Sequence, residues 1–366
     1  MITVAIPTLG DRPGLEDLLA ALARQDFPES EREILIVGNL ESPRLRRIVE
    51  RWRPRIDGLR LEFTGVLGVN AARNLALDLA RGELVVFFDD DCVPASAAFL
   101  AEVARLHREH PEAWAIGGFY TIGPRAGIYA RTYVEISRDS LLRASFAGAP
   151  QGDLRALPSG DLLPLRGLVR FAHWRASLGG ALAGARFGTA RALNLLGGNV
   201  SYKRARLGAR WRFDPRIRFG GAETEFHARL VAAGAHLVLA GAIPVEHRVR
   251  LGARAFLRRG YVQGRAWGLL CAQGLSPRLT LHASLAPPSG ALAAKAFHFS
   301  FRLGADLQRI GLYEFGRYWR FRELARIRVN AVTSRARASL FLRELCYAWL
   351  ALRGRAPSVA ESRELK

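Results

Sequence analysis

The segment LVVFFDDDCVP, residues 84–94, decides the fold. Its first five residues, Leu84–Phe88, are apolar throughout. A run of that length with no polar alternation fits a central strand covered on both faces. It ends on three adjacent carboxylates, Asp89, Asp90 and Asp91. Like charges at the end of a buried strand repel one another and cost stability unless a cation or hydrogen-bond donors offset them. Hard oxygen ligands of this kind suit Mg²⁺ or Mn²⁺, which commonly bridge carboxylates to substrate phosphates. A solvated acidic turn after a strand is the plainer alternative at this stage.

Upstream of the triplet, strand and helix patterns alternate. Ile2–Ile6 reads as a strand stopping at Pro7, and Leu15, Leu18, Leu19 and Leu22 recur at helical spacing after a start signal at Asp11–Pro13. Glu33–Val37 and Leu59–Phe63 read as strands, and Arg44–Trp52 and Asn70–Ala80 as helices. Downstream, Ser96–Arg108 reads as a helix and Ala113–Gly118 as a strand. Such alternation predicts an α/β fold, a mostly parallel central sheet flanked by helices. Ligands on such sheets gather at the carboxyl ends of the strands. Residues 123–190 are rich in Gly, Pro and Arg and read as an irregular insertion. Regular signals return at Gly197. After about residue 250 the chain reads as helical, basic and aromatic, so we expect one domain over 1–250 and a helical C-terminal region over 251–366.

The chain has 366 residues, 49% of them hydrophobic, and a formal net charge of +21. That excludes a disordered polymer and favours an anionic partner such as a nucleotide diphosphate or an anionic membrane surface. Its lysines are Lys203, Lys295 and Lys366, so the charge is arginine charge dispersed along the chain, with no nucleic-acid motif. No nucleic-acid partner is expected. Cys92, Cys271 and Cys346 are far apart and fit a reducing compartment. There is neither a signal-peptide pattern nor an apolar run of the ~20 residues a spanning helix needs. The expected location is cytoplasmic, with a peripheral position on the inner face of the membrane as the extension of that reading. Leu342, Leu345, Trp349 and Leu352 share one helical face, which could lie on an anionic membrane or pack against the domain or a second subunit in a homo-oligomer.

The ordered set IPTLGDR, GVNAARNLAL (68–77), FFDDDCVP (87–94), GGN (197–199), GGAETEFHARL (220–230) and VEH (245–247) resembles family 2 glycosyltransferases with a GT-A fold over about residues 1–250. The resemblance implies a nucleotide-sugar donor and transfer with inversion to a hydroxyl acceptor. If the basic, aromatic C-terminal region lies on a membrane, that acceptor is expected to be lipid-linked or a glycan of the cell envelope. It places Pro7 and Thr8 at the nucleoside pocket, and Arg73 and Asn74 beside the nucleotide. It makes Asp89 to Asp91 a D-x-D motif. Asp89 would then face the ribose or a metal-bound water, Asp90 would lie within the donor site, and Asp91 would bind Mn²⁺ or Mg²⁺. His247 would be a further metal ligand, with an ordinary hydrogen-bonded histidine as the alternative.

The family's catalytic base corresponds to Glu223, with Ala222 where a first acid is usual. Glu225 is the alternative base. Gly38 and Asn39 stand where many members have a base-reading Asp, so Asn39 would meet the nucleobase and UDP, GDP and dTDP donors all stay open. Asn199 could bond a sugar hydroxyl, and Gly197 and Gly198 read more simply as a turn. A catalytically inactive sugar-nucleotide or glycan-binding relative is the competing function.

Overall fold

The computed structural model describes residues 1–10, 14–123, 126–147, 189–217 and 220–272, with several positions between 293 and 305. The start signal at Asp11–Pro13, most of the expected insertion and the helical face at Leu342–Leu352 lie outside the described residues.

The first half follows the alternation closely. β1 (Ile2–Thr8), β2 (Arg32–Gly38) and β3 (Leu59–Phe63) are joined through α1 (Gly14–Ala23) and α2 (Pro43–Trp52); α3 (Val69–Leu79) then leads to β4 (Leu84–Phe87). β1 and β2 are buried along their whole length, as two-sided coverage requires. α2 starts cleanly because Ser42 caps it, accepting from Leu45 N at 3.2 Å, and Pro43 takes the first turn, where its missing N–H costs nothing. β1 does not stop at Pro7. It pairs with β2 through Thr8 but with β4 only as far as Ala5. Pro7 therefore lies where one flank of the strand is open, and its lack of an N–H is tolerated there.

β5 (Cys92–Pro94) follows the triplet. α4 (Phe99–Glu109), β6 (Ala113–Gly117), β7 (Tyr120–Ile122) and α5 (Ile128–Ala147) come next. After residue 189 come β8 (Thr189–Ala192), β9 (Val200–Lys203), the single turn α6 (Arg204–Leu207), α7 (Ala222–Ala232), β10 (His236–Ala240), β11 (Val245–His247) and α8 (Ala253–Ala272).

The main sheet has eight strands in the order β3-β2-β1-β4-β9-β6-β10-β8. Pairs among β1 to β4, and the β6–β10 pair, are parallel, whereas β9 runs antiparallel between β4 and β6 and β8 antiparallel on the edge. A second sheet, β5-β11-β7, was not foreseen. Its three-residue strands are too short to show a period. One apolar cluster runs from the β1–β4 half through Phe226 and Leu239 to Phe256 and Phe297, so α8 packs into the same core as the sheet.

At the amino ends of the parallel strands the buried Glu33 carboxylate is fully engaged. It accepts from Thr3 Oγ1 (2.6 Å), Arg81 N (2.7 Å) and Arg60 Nη1 (3.0 Å). Burial pushes its pKa up, but these donors outweigh that and hold it below the usual value.

Candidate active site

The triplet leaves β4 at the carboxyl end of the sheet. Cys92 N bonds Asp89 O at 2.9 Å, closing a turn that reverses the chain into β5. β5 pairs antiparallel with β11, which puts Cys92 directly opposite His247. Directly opposed residues of an antiparallel pair project on the same face. The sheet register thus brings residues 155 positions apart in sequence (247 − 92) to one place.

The three carboxylates have three different surroundings. Asp90 is buried and accepts from the Thr8 hydroxyl at 2.6 Å; Thr8 Oγ1 in turn accepts from Gly10 N at 2.9 Å. Asp90 therefore ties the triplet to the loop after β1. Asp89 is the most open of the three and receives Arg73 Nη2 at 3.3 Å. Asp91 Oδ1 lies 3.2 Å from His247 Nε2.

His247 is 3% exposed, and neither of its ring nitrogens makes a hydrogen bond among the described residues. The Tyr120 ring lies 4.5 Å and the Tyr133 ring 5.9 Å from it, walling it in. A buried imidazole without hydrogen bonds is costly, and a cation shared with the neighbouring carboxylate relieves that cost. Asp91, Cys92 and His247 offer ligand atoms that all lie within 4.8 Å of one another. The residues present therefore fit a divalent cation. Burial, with Asp91 and Asp89 nearby, pushes the Cys92 thiol well above its usual value, so it sits there as a neutral thiol. Cys92 and Tyr120 were missed by sequence reasoning, and no spacing rule points to either.

Arg73, on α3, is 3% exposed and links two acids. Nη2 faces Asp89, and Nη1 lies 3.6 Å from Glu223 Oε2. Burial opposes its charge, but Asp89 and Glu223 outweigh that and raise its pKa. Its side chain also lies over Phe213, 5.3 Å from the ring centroid.

Gly197 and Gly198 are more than the plain turn preferred from sequence. A Cβ on Gly197 would come within 2.5 Å of Arg73 Nη2 and 3.1 Å of Glu223 Oε2. One on Gly198 would come within 2.8 Å of Cys92 Sγ and 2.9 Å of Asp89 Cγ. The backbone there passes against the site's own side chains, which only glycine permits.

Glu223 enters on α7, whose start is set by Gly220 and Gly221 at φ of 69° and 70°. Those positive values favour glycine at both positions. Ala222 is fully buried beside Ile217, so a small apolar residue is what this packing holds at the position of the family's first acid. Glu225, the alternative base, faces inward with no exposure and pairs with Arg229, whose Nη2 donates at 2.9 Å. Its carboxylate is engaged away from the Arg73 bridge.

The remaining sequence candidates are spread over scaffold roles. Asn74 Nδ2 donates to Phe213 O (2.9 Å) and Asn74 Oδ1 accepts from Phe213 N (2.8 Å), pinning the ring under Arg73. Asn199 gives its amide to Phe119 O (3.2 Å) and Ile243 O (2.8 Å). Asn39 is buried, donates to Gly68 O at 3.0 Å and holds the entry to α3. Gly38 is dictated by packing, because a Cβ there would come within 2.6 Å of the Phe63 ring. Pro7 lies in β1 opposite Val37. The structure thus gathers Thr8, Arg73, Asp89, Asp90, Asp91, Glu223 and His247 into one connected set. It uses the amides of Asn39, Asn74 and Asn199 to brace backbone around that set.

Parts of the chain are similar to known proteins. A stretch of 91 residues, 24% of this chain, is 36% identical to the poly(ribitol-phosphate) beta-N-acetylglucosaminyltransferase TarS of Staphylococcus aureus and spans 16% of that protein. A stretch of 94 residues is 28% identical to the glycosyltransferase AglE of Haloferax volcanii and spans 31% of it. The chain thus matches less than a third of the length of each of these relatives. Among solved structures, the mannosyltransferase PcManGT from Pyrobaculum calidifontis, in complex with GDP-Man and Mn²⁺, aligns with a TM-score of 0.49 at 17% identity over 96% of this chain and 82% of that one. TarS 1-349 in complex with UDP aligns with a TM-score of 0.45 at 15% identity over 87% and 91%. Residues 3–152, which run from β1 past α5 and contain the carboxylate triplet, match the family described as Glycosyl transferase family 2.

Proposed function

We propose that the chain is a metal-dependent, inverting glycosyltransferase that moves a sugar from a nucleoside-diphosphate donor to a hydroxyl of a glycan or lipid-linked acceptor. The observation that carries this reading is the Arg73 bridge. It joins Asp89, beside the cation-fitting Asp91–His247 pair, to Glu223 through one buried guanidinium. Metal-side and base-side groups are thereby held in fixed relation, which displacement at one carbon requires.

Glu223 is the base. Its carboxylate takes the proton of the acceptor hydroxyl, the hydroxyl oxygen bonds to the anomeric carbon, and the bond from that carbon to the diphosphate oxygen breaks with its electron pair. Arg73 orients Glu223 and keeps it apart from Asp89. Thr8 and Asp90 fix the loop after β1 at the nucleoside side. Asp91, Asp89 and His247 would hold Mn²⁺ or Mg²⁺, and a bound divalent cation offsets the charge that develops on the leaving diphosphate. The donor's base and sugar are read by experiment.

The test is a screen of UDP-, GDP- and dTDP-sugars with Mn²⁺, following thermal shift and sugar release or transfer, and then the anomeric configuration of the product. Metal-requiring turnover that disappears in Asp91→Ala and Glu223→Gln, with an inverted product, supports the reading. Donor binding without turnover would instead make the chain a binding relative, the reading that Ala222 motivates.

Among the described residues no helix is long and apolar enough to cross a membrane. Docking of the basic C-terminal region on an anionic surface is a further part of the proposal. Failure to float with anionic vesicles at both low and high salt would remove it.

A further inference from the structure

α8 lies beyond the family-matched stretch, yet it touches both ends of the site. At one end Gln263 Nε2 donates to the Tyr133 hydroxyl at 3.0 Å, and Tyr133 is part of the wall beside His247. At the other, Val262 and Gln263 pack so closely on Gly220 that a Cβ there would lie 3.0 Å from Val262 Cγ1. Gly220 belongs to the turn that launches Glu223. The helix is held in this position by close backbone approaches: a Cβ on Gly260 would come within 2.8 Å of Phe297 O, and one on Gly264 within 2.0 Å of Phe301 O.

One turn before Gln263, on the same face, stands Arg259. Its guanidinium carbon lies 4.7 Å from the centroid of the Tyr133 ring. Burial opposes its charge, but Tyr133, Asp91 and Asp89 outweigh that and keep it protonated. Arg73 already divides its two terminal nitrogens between Asp89 and Glu223. Arg259 is thus a second guanidinium within the field of the triplet, on the Tyr133 side of the Asp91–His247 pair. Cation–π contact with one aromatic face leaves part of the fork of five donors for an anion, and that fork matches phosphate geometry.

We propose that Arg259 is a diphosphate-binding residue, which α8 brings to the site to engage the phosphate oxygens of the nucleotide and to bear part of the leaving group's charge. The inference rests on the donor reading above and assigns it a residue outside the family's motif set. A helix that also packs on the Glu223 turn would couple occupancy of the phosphate site to the position of the base.

The test is calorimetric titration of the full chain, in saturating Mn²⁺, with UDP, GDP and dTDP and with the corresponding nucleosides. For whichever diphosphate the unmutated chain binds, Arg259→Gln should weaken binding about tenfold or more, the loss expected for a charge-assisted contact. Affinity for the nucleoside and for Mn²⁺ alone should stay unchanged. If Gln disturbs the fold, Arg259→Met keeps an unbranched stem on Tyr133 and carries the same comparison, with melting temperature as the control. Undiminished diphosphate affinity in a folded Gln or Met variant would overturn the proposal and leave Arg259 as a brace. An unmutated chain that binds none of the diphosphates would overturn the donor reading, and this inference with it.

Discussion

The parallel strands carry acids at both ends, and the two ends are built to opposite specifications. At the amino end Glu33 receives Thr3, Arg60 and Arg81, donors that the chain itself supplies. At the carboxyl end the balance is left incomplete: among the described residues neither nitrogen of His247 makes a hydrogen bond, and Arg73 Nε and Nη1 make none beyond the longer ion pair of Nη1 to Glu223. A closed network rigidifies, whereas an open one stores binding capacity for what is absent. The difference teaches which acids to assign to stability and which to chemistry, although all of them lie on the same few strands.

Substitutions should separate the ends. Asp91→Ala should lower metal-dependent transfer about 10³-fold or more, since a bound cation contributes several kcal/mol to leaving-group stabilisation. Its melting temperature should hold or rise, because one repelling carboxylate is gone. Steady-state transfer and a thermal melt check the two halves of that statement. Glu223→Gln should cost about 10²-fold or more in kcat, the usual contribution of a general base, with donor affinity retained. Glu225→Gln should instead show as lost stability, because it leaves Arg229 without its buried partner. If the Glu225 change abolished turnover in a fully folded protein while Glu223→Gln did not, the base assignment would move to Glu225.

At the amino end Glu33→Gln should cost about 1–3 kcal/mol in denaturant unfolding and leave transfer per folded molecule unaltered. Acid should weaken the fold as well. The depressed Glu33 pKa means that its contribution is complete above the unfolded-state value and is lost as pH falls through the folded one. His107 and His227 act in the same direction. Burial, with Lys203 and His110 adding for the first and Arg73 for the second, lowers each from 6.5 to about 3. The unfolded chain binds those protons first, so stability should decline as pH drops from about 6.5 towards 3. Melting curves across that window should steepen less in a His107→Gln variant than in the unmutated chain.

What the sequence revealed follows from the range of the interactions involved. β3, where Leu59, Leu61 and Phe63 alternate with Arg60 and Glu62, has the bounds read from the sequence, and the other early strands and helices differ by a few residues at their ends. Their signals are local: an apolar run and a helical period. The triplet was legible for the same reason. The cross-strand meeting of Cys92 with His247, the Arg73 bridge and the approach of α8 were not, because each is set by pairing between distant segments. The three asparagines looked like ligand groups because an amide suits a sugar hydroxyl and a backbone carbonyl equally well. Only the tertiary contacts show that backbone takes them here.

The position of β9 has a consequence for how the chain must be made. β9 arrives after residue 189, yet it occupies the centre of the sheet between β4 and β6. Until a ribosome has delivered it, the nascent β1–β4 half exposes β4 as a bare apolar edge, a template for pairing with other chains. A truncation at residue 152, where the family match ends, would freeze that intermediate. Such a fragment would contain the whole carboxylate triplet, lack Glu223 and His247, and be expected to aggregate before its lost chemistry could be measured.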